Sequence, residues 1–192
     1  MKQYDVNTEA SVGTAISTFL GTVALFFAGI LMSRLEAFDV SLRLPILYLL
    51  VATFGFVFSA IIYANVTGTA RVGDDQPETF LQWGNVLSEY LGVYPFVMAI
   101  PLAVGAVTDD PFLRSATLLL ALVSTALYTL SPFSMAHRSF SRPAVMALTA
   151  SLCVGILVTF MYQHADINQY QMMGVIILVL LSALCFIRRH KV

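Results

Sequence analysis

Charge is what this sequence has least of. Asp, Glu, Lys and Arg make up 11% of its 192 residues, while 58% are hydrophobic; a soluble domain carries roughly a quarter of its residues as charges. No soluble fold can hide that much apolar surface behind so few charges. A basic excess is missing too. Ten Lys and Arg stand against eleven Asp and Glu, which leaves no field for a phosphate backbone and argues against nucleic acid as a partner. Cysteine stops at two, Cys153 and Cys185. Both fall in hydrophobic blocks, where a lone thiol packs as a small apolar residue and marks no redox compartment.

Chemical signatures are equally sparse. The chain has no Gly-x-Ser-x-Gly, His-Glu-x-x-His, Walker or dinucleotide fingerprint, and no cysteine pair at redox spacing. Lysine is absent from the hydrophobic blocks, which excludes a Schiff-base lysine of the retinal kind. Met1–Ala10 holds one Lys and two acidic residues rather than a basic leader, and no small-residue cleavage site follows. The first apolar block is therefore expected to stay as a helix. Outside the blocks the longest stretch is residues 66–85, too short for a separate soluble module.

What is present is a series of apolar runs of bilayer length, with a mean hydropathy of +0.83. They predict an all-α integral membrane protein, a single polytopic domain with a bundle of about six transmembrane helices. The expected spans are residues 11–33, 43–65, 86–107 with an amphipathic lead-in from 77, 112–134, 143–162 and 169–187. Turn formers separate them: Asp39, Gly68, Gly73-Asp74-Asp75, Asp109-Asp110-Pro111, Arg142-Pro143, and Asp166 with Asn168. Orientation follows from Lys and Arg alone. With the N-terminus inside, Lys2, Arg71, Arg138, Arg142, Arg188, Arg189 and Lys191 are inner, and Arg34, Arg43 and Arg114 are outer. Seven against three predicts both termini on the cytoplasmic side of a cell membrane. The Arg188-Arg189-His190-Lys191 cluster suits a stop signal against anionic headgroups.

The third span carries the most information. Glu78, Gln82, Asn85 and Glu89 recur at spacings of four, three and four, which puts them on one helical face. Pro77 suits the helix start, and Trp83 and Tyr90 suit the inner interface. Glu89 is the one acid inside an expected span, and a carboxylate at membrane depth is costly enough to be a candidate for function. Tyr90, Asn85 and Ser88 are its nearest polar company. Two readings attach to it: a cation or proton site at the mouth of a permeation path, or an interfacial residue about 10 Å from the bilayer middle that meets water or Arg138. Pro95 and Pro101 are candidate helix breaks, since each removes a backbone donor. Tyr94-Pro95-Phe96-Val97-Met98 echoes Ser131-Pro132-Phe133-Ser134-Met135, but the two occupy different places in their spans and argue for no duplication.

Small residues recur every four positions at Gly13, Ser17 and Gly21, and at Ala147, Ser151, Gly155 and Thr159, as close helix packing within a chain or between subunits requires. The histidines divide, with His164 outer and His137 and His190 inner, so no three-histidine metal site is expected. His164 with Asp166, Asp109 and Asp110 is the remaining outer cluster. No catalytic residue, metal or cofactor is assigned. The function classes left open are an oligomeric channel or transporter for a cation or small solute, a non-transporting protein that binds lipid or scaffolds a complex, and, behind both, an intramembrane enzyme. The expected partners are the lipid bilayer and further copies of the chain.

Overall fold

The computed structural model describes residues 6–69 and 77–189. Lys2, Arg71, Gly73, Asp74, Asp75, His190 and Lys191 lie outside them. Among the described residues the chain is helical without strands. Six helical stretches there are long and apolar enough to cross a membrane: Val6–Ser33, Arg43–Gly68, Glu78–Val107, Pro111–Ser139, Arg142–Tyr162 and Ile167–Phe186. This is the architecture of a multi-pass membrane protein. Phe19, Phe26, Leu120, Leu127, Met146, Met161 and Phe186 point outward, where hydrocarbon rather than protein suits them.

Helix α1 (Val6–Ser33) begins before the expected residue 11, because Ala10 packs with Tyr63, Val66 and Leu81 and so extends the buried stripe past the apolar run. Its inward face is Ala10, Ser17, Gly21, Ala24 and Ala28. A short helix α2 (Leu35–Phe38) and a 3-10 turn (Asp39–Leu42) lead to α3 (Arg43–Thr69), which lies against α1 along its length. The close approach is made by small residues: a Cβ built on Gly21 would stand 3.2 Å from the Phe56 Cβ, and one on Gly13 would meet the Tyr63 ring.

The third stretch is continuous but not uniform. Helix α4 (Pro77–Leu87) passes into a π-helical segment (Ser88–Val93) and then α5 (Tyr94–Val107). In the π segment the Tyr94 N–H reaches back five residues to the Glu89 carbonyl. The cause lies one residue further on. Pro95 cannot donate, and in a regular α-helix its ring would strike the Leu91 carbonyl; a wider turn makes room. Pro95 thus sits at the start of α5 and Pro101 inside it, both buried, with the irregularity ahead of Pro95.

Helix α6 (Pro111–Leu130) stops short of the expected residue 134. Pro132 disfavours helical backbone at the preceding Ser131, which is extended at φ −72° and ψ 150°. A turn then leads to a one-turn helix α7 (Met135–Ser139), followed by α8 (Arg142–Tyr162) and α9 (Ile167–Arg189). Of the second small-residue stripe, Thr159 is buried and Gly155 meets Ile177, while Ala147 and Ser151 face outward.

Helix α3 and the α4–α5 rod form the middle of the bundle, with α1 on one side and α6, α8 and α9 on the other. Tyr48 fastens α9 to α3 by donating to the Gly174 carbonyl at 2.9 Å.

Candidate functional site

Glu89 lies in the π segment with 1% of its surface exposed. Both carboxylate oxygens accept hydrogen bonds. Oε1 takes the Tyr94 hydroxyl at 2.9 Å, the Ser134 hydroxyl at 2.8 Å and the Ala136 N–H at 3.4 Å; Oε2 takes the Met135 N–H at 2.5 Å. Three of these donors belong to the start of α7. Ser134 is its N-cap, and its oxygen also accepts from the Ala136 N–H at 3.2 Å. In a capping box, a Ser and a Glu of one helix satisfy each other's free N–H groups. Here the Ser comes from the α6–α7 turn and the Glu from another helix. These hydrogen bonds tie that turn to the bundle, where every buried donor needs an acceptor.

Beneath it the aromatic packing is tight. The Tyr94 ring meets Tyr90 edge-on at 5.6 Å and Tyr128 at 5.9 Å, and the Tyr94 hydroxyl lies 3.2 Å from Thr129 Oγ1. Tyr90 is therefore part of this packed layer.

Glu89 also borders a cavity of about 310 Å³. Glu89 and Ser88 form its floor with Tyr128. One wall is a hydrogen-bonded chain across three helices: the Tyr63 hydroxyl donates to Asn85 Oδ1 at 2.6 Å, and Asn85 Nδ2 donates to Glu9 Oε1 at 3.3 Å. Helix α7 adds Met135 and Arg138 to the lining. Val12 and Phe133 make an apolar rim, 52% and 81% exposed. The Tyr63 ring is fixed between two glycines, whose Cβ positions would fall 2.9 Å (Gly13) and 2.5 Å (Gly84) from it.

The predicted stripe is divided by this geometry. Asn85 and Glu89 line the cavity, whereas Gln82 is half-buried outside it and Glu78 is exposed. Sequence reasoning missed Glu9, Tyr63, Tyr128 and Ser134. One signal was available: Glu9 precedes Gly13, Ser17 and Gly21 by the same four-residue step and therefore shares their inward face.

At the opposite end the acidic residues are occupied as helix caps. Asp110 accepts from the Phe112 and Leu113 N–H groups, and Asp166 from those of Asn168 and Gln169. His164 Nε2 lies 3.0 Å from the Gly105 carbonyl. Asp109 stands 4.0 Å from Arg114. Among the described residues no three His, Cys, Asp or Glu side chains converge as metal ligands would.

No protein-family model, curated protein or solved structure matches this chain. What the cavity does rests on its own residues.

Proposed function

We propose that this chain is a multi-pass protein of the cell membrane, with both termini cytoplasmic, that binds a small polar ligand in the cavity of Glu9, Asn85 and Arg138 without conducting solutes. The observation that carries the reading is the use of Glu89. All its hydrogen bonds go to the protein, four donors holding one carboxylate, so it has little left to offer a passing ion. The packed tyrosines below it support the same conclusion. A channel or carrier working through Glu89 would first have to release the α6–α7 turn and leave buried backbone donors unpaired, at about 1–3 kcal/mol for each.

The orientation rests on the excess of inner Lys and Arg, with Arg138 and Arg142 on the cavity side and Arg34, Arg43 and Arg114 on the other. In this orientation the cavity opens at the cytoplasmic interface, where lipid headgroups and solutes both have access.

Proteoliposomes test the reading. Cation and proton flux is expected to equal that of protein-free vesicles for both the wild type and Glu89→Gln. Flux in the wild type that disappears in Glu89→Gln would sink it in favour of transport.

A further inference from the structure

Besides Glu89, whose carboxylate is taken up by the α6–α7 turn, two charged side chains of opposite sign line the cavity, and they do not meet. Glu9 belongs to α1 and Arg138 to α7, and both line the cavity. The ion pair found among the described residues is Arg114 with Asp109, at the other end of the bundle; Glu9 and Arg138 therefore stand farther apart than the 4.0 Å of a salt bridge. Glu89 does not neutralise Arg138 either, since its partners are Tyr94, Ser134, Met135 and Ala136. Glu9 is held in place by Asn85 through one oxygen, at 3.3 Å. Its second oxygen is without a hydrogen bond among the described residues.

We infer that the cavity takes a small zwitterion, a molecule with a primary amine for Glu9 and an anionic group for Arg138, the inference resting on the binding reading above. An ammonium at Glu9 gains the carboxylate and lies near the rings of Tyr63 and Tyr128, whose faces attract cations. A phosphate or carboxylate matches the planar donor fork of Arg138. A ligand of one sign pairs with one of these charges and brings a like charge near the other, which is the repulsive half of specificity. The volume of about 310 Å³ is at the small end of ligand pockets, enough for an ethanolamine-phosphate headgroup or a free amino acid of similar size. The apolar rim of Val12 and Phe133 gives acyl chains a path into the bilayer. The shared chemistry has two sources, a lipid headgroup or a free solute.

The test is competitive binding to the purified full chain, read by native mass spectrometry. The probes are phosphatidylethanolamine, phosphatidylglycerol and phosphatidylcholine, with soluble glycerophosphoethanolamine as competitor. Phosphatidylethanolamine is expected to bind about tenfold more tightly than the other two, phosphatidylglycerol lacking the amine and phosphatidylcholine lacking its N–H donors. Glu9→Gln is expected to remove that preference while leaving phosphatidylglycerol binding in place, and Arg138→Gln to weaken both. Displacement by the soluble competitor supports the zwitterion and shows that the headgroup suffices; preference without displacement supports it with lipid as the source. Equal binding of phosphatidylglycerol and phosphatidylethanolamine, unchanged by Glu9→Gln, overturns the zwitterion and leaves a binding cavity. Binding of every probe unaffected by Glu9→Gln, Arg138→Gln and a cavity-filling Ser88→Trp, with unchanged far-UV circular dichroism, overturns the cavity as a site altogether.

Discussion

A Cβ built on Gly55 would stand 2.4 Å from the carbonyl carbon of Leu91, so α3 and the π segment touch backbone to backbone. Neither partner can move aside as a flexible side chain would. Gly55→Ala is expected to destabilise the protein by about 2 kcal/mol or more. Gly29→Ala, with nothing within 4 Å of the added methyl, should be neutral or stabilising by up to about 1 kcal/mol. Melting temperatures in detergent check the pair, and equal shifts would break the account.

Glu89→Ala removes the acceptor for the Tyr94 and Ser134 hydroxyls and the Met135 and Ala136 N–H groups. A loss of about 3 kcal/mol is expected. Glu89→Gln keeps one carbonyl acceptor but turns an amide donor toward other donors, and should fall between Ala and wild type. The distinguishing readout is local. Hydrogen exchange should accelerate in residues 131–141 of both variants, more strongly in Ala, with α1 and α3 little changed. Uniform acceleration would mean that Glu89 supports the whole bundle rather than this turn.

At the other end, buried Gln163 donates to the Leu102 carbonyl at 2.6 Å, and its Oε1 lies 2.5 Å from where a Gly105 Cβ would stand. The two positions should therefore be coupled. Gly105→Ala is expected to be costly alone and cheaper in a Gln163→Ala background, where the Phe160 ring at 3.1 Å is the tight contact left, with a coupling of about 1 kcal/mol in a double-mutant cycle. Simple additivity of the two Tm shifts would refute the contact.

Single cysteines at His137 and Ala165, in a chain with Cys153 and Cys185 replaced by Ala, report the orientation. An impermeant maleimide added to intact cells should label Ala165→Cys and reach His137→Cys after permeabilisation. The reverse pattern would turn the protein over and put the cavity outside.

The six long helices were legible because apolar runs of about 20 residues have few other physical explanations. The Asn85–Glu89 face was legible through its period. The end of α6 at Leu130 was not: Pro132 is tolerable inside a membrane helix when neighbours satisfy the backbone, and the deciding fact is that Glu89, distant in sequence, captures the free N–H groups of the next turn. The joining of Glu9 to Asn85 was invisible for a related reason. Periodicity says that Glu9 faces inward, but not which helix it faces. The π segment left only Pro95 as its trace, since one widened turn changes the hydrogen bonds more than the composition.

That widened turn acts as a dislocation in the rod. A π turn accommodates one extra residue over nearly the same rise, so α4 and α5 are out of phase by about 100°. On an uninterrupted helix the bearing of Asn85 and Glu89 would continue through Phe96 to Ile100, which is outward-facing; the one-residue slip moves it to Val97 and Pro101, and Pro101 is buried. The slip is what lets a polar half and an apolar half both point inward and brings the Tyr94 hydroxyl onto its own upstream Glu89. Deleting a single residue between Ser88 and Val93 would restore a regular helix while swinging one half away from its partners, so this stretch should tolerate substitution far better than a change in length.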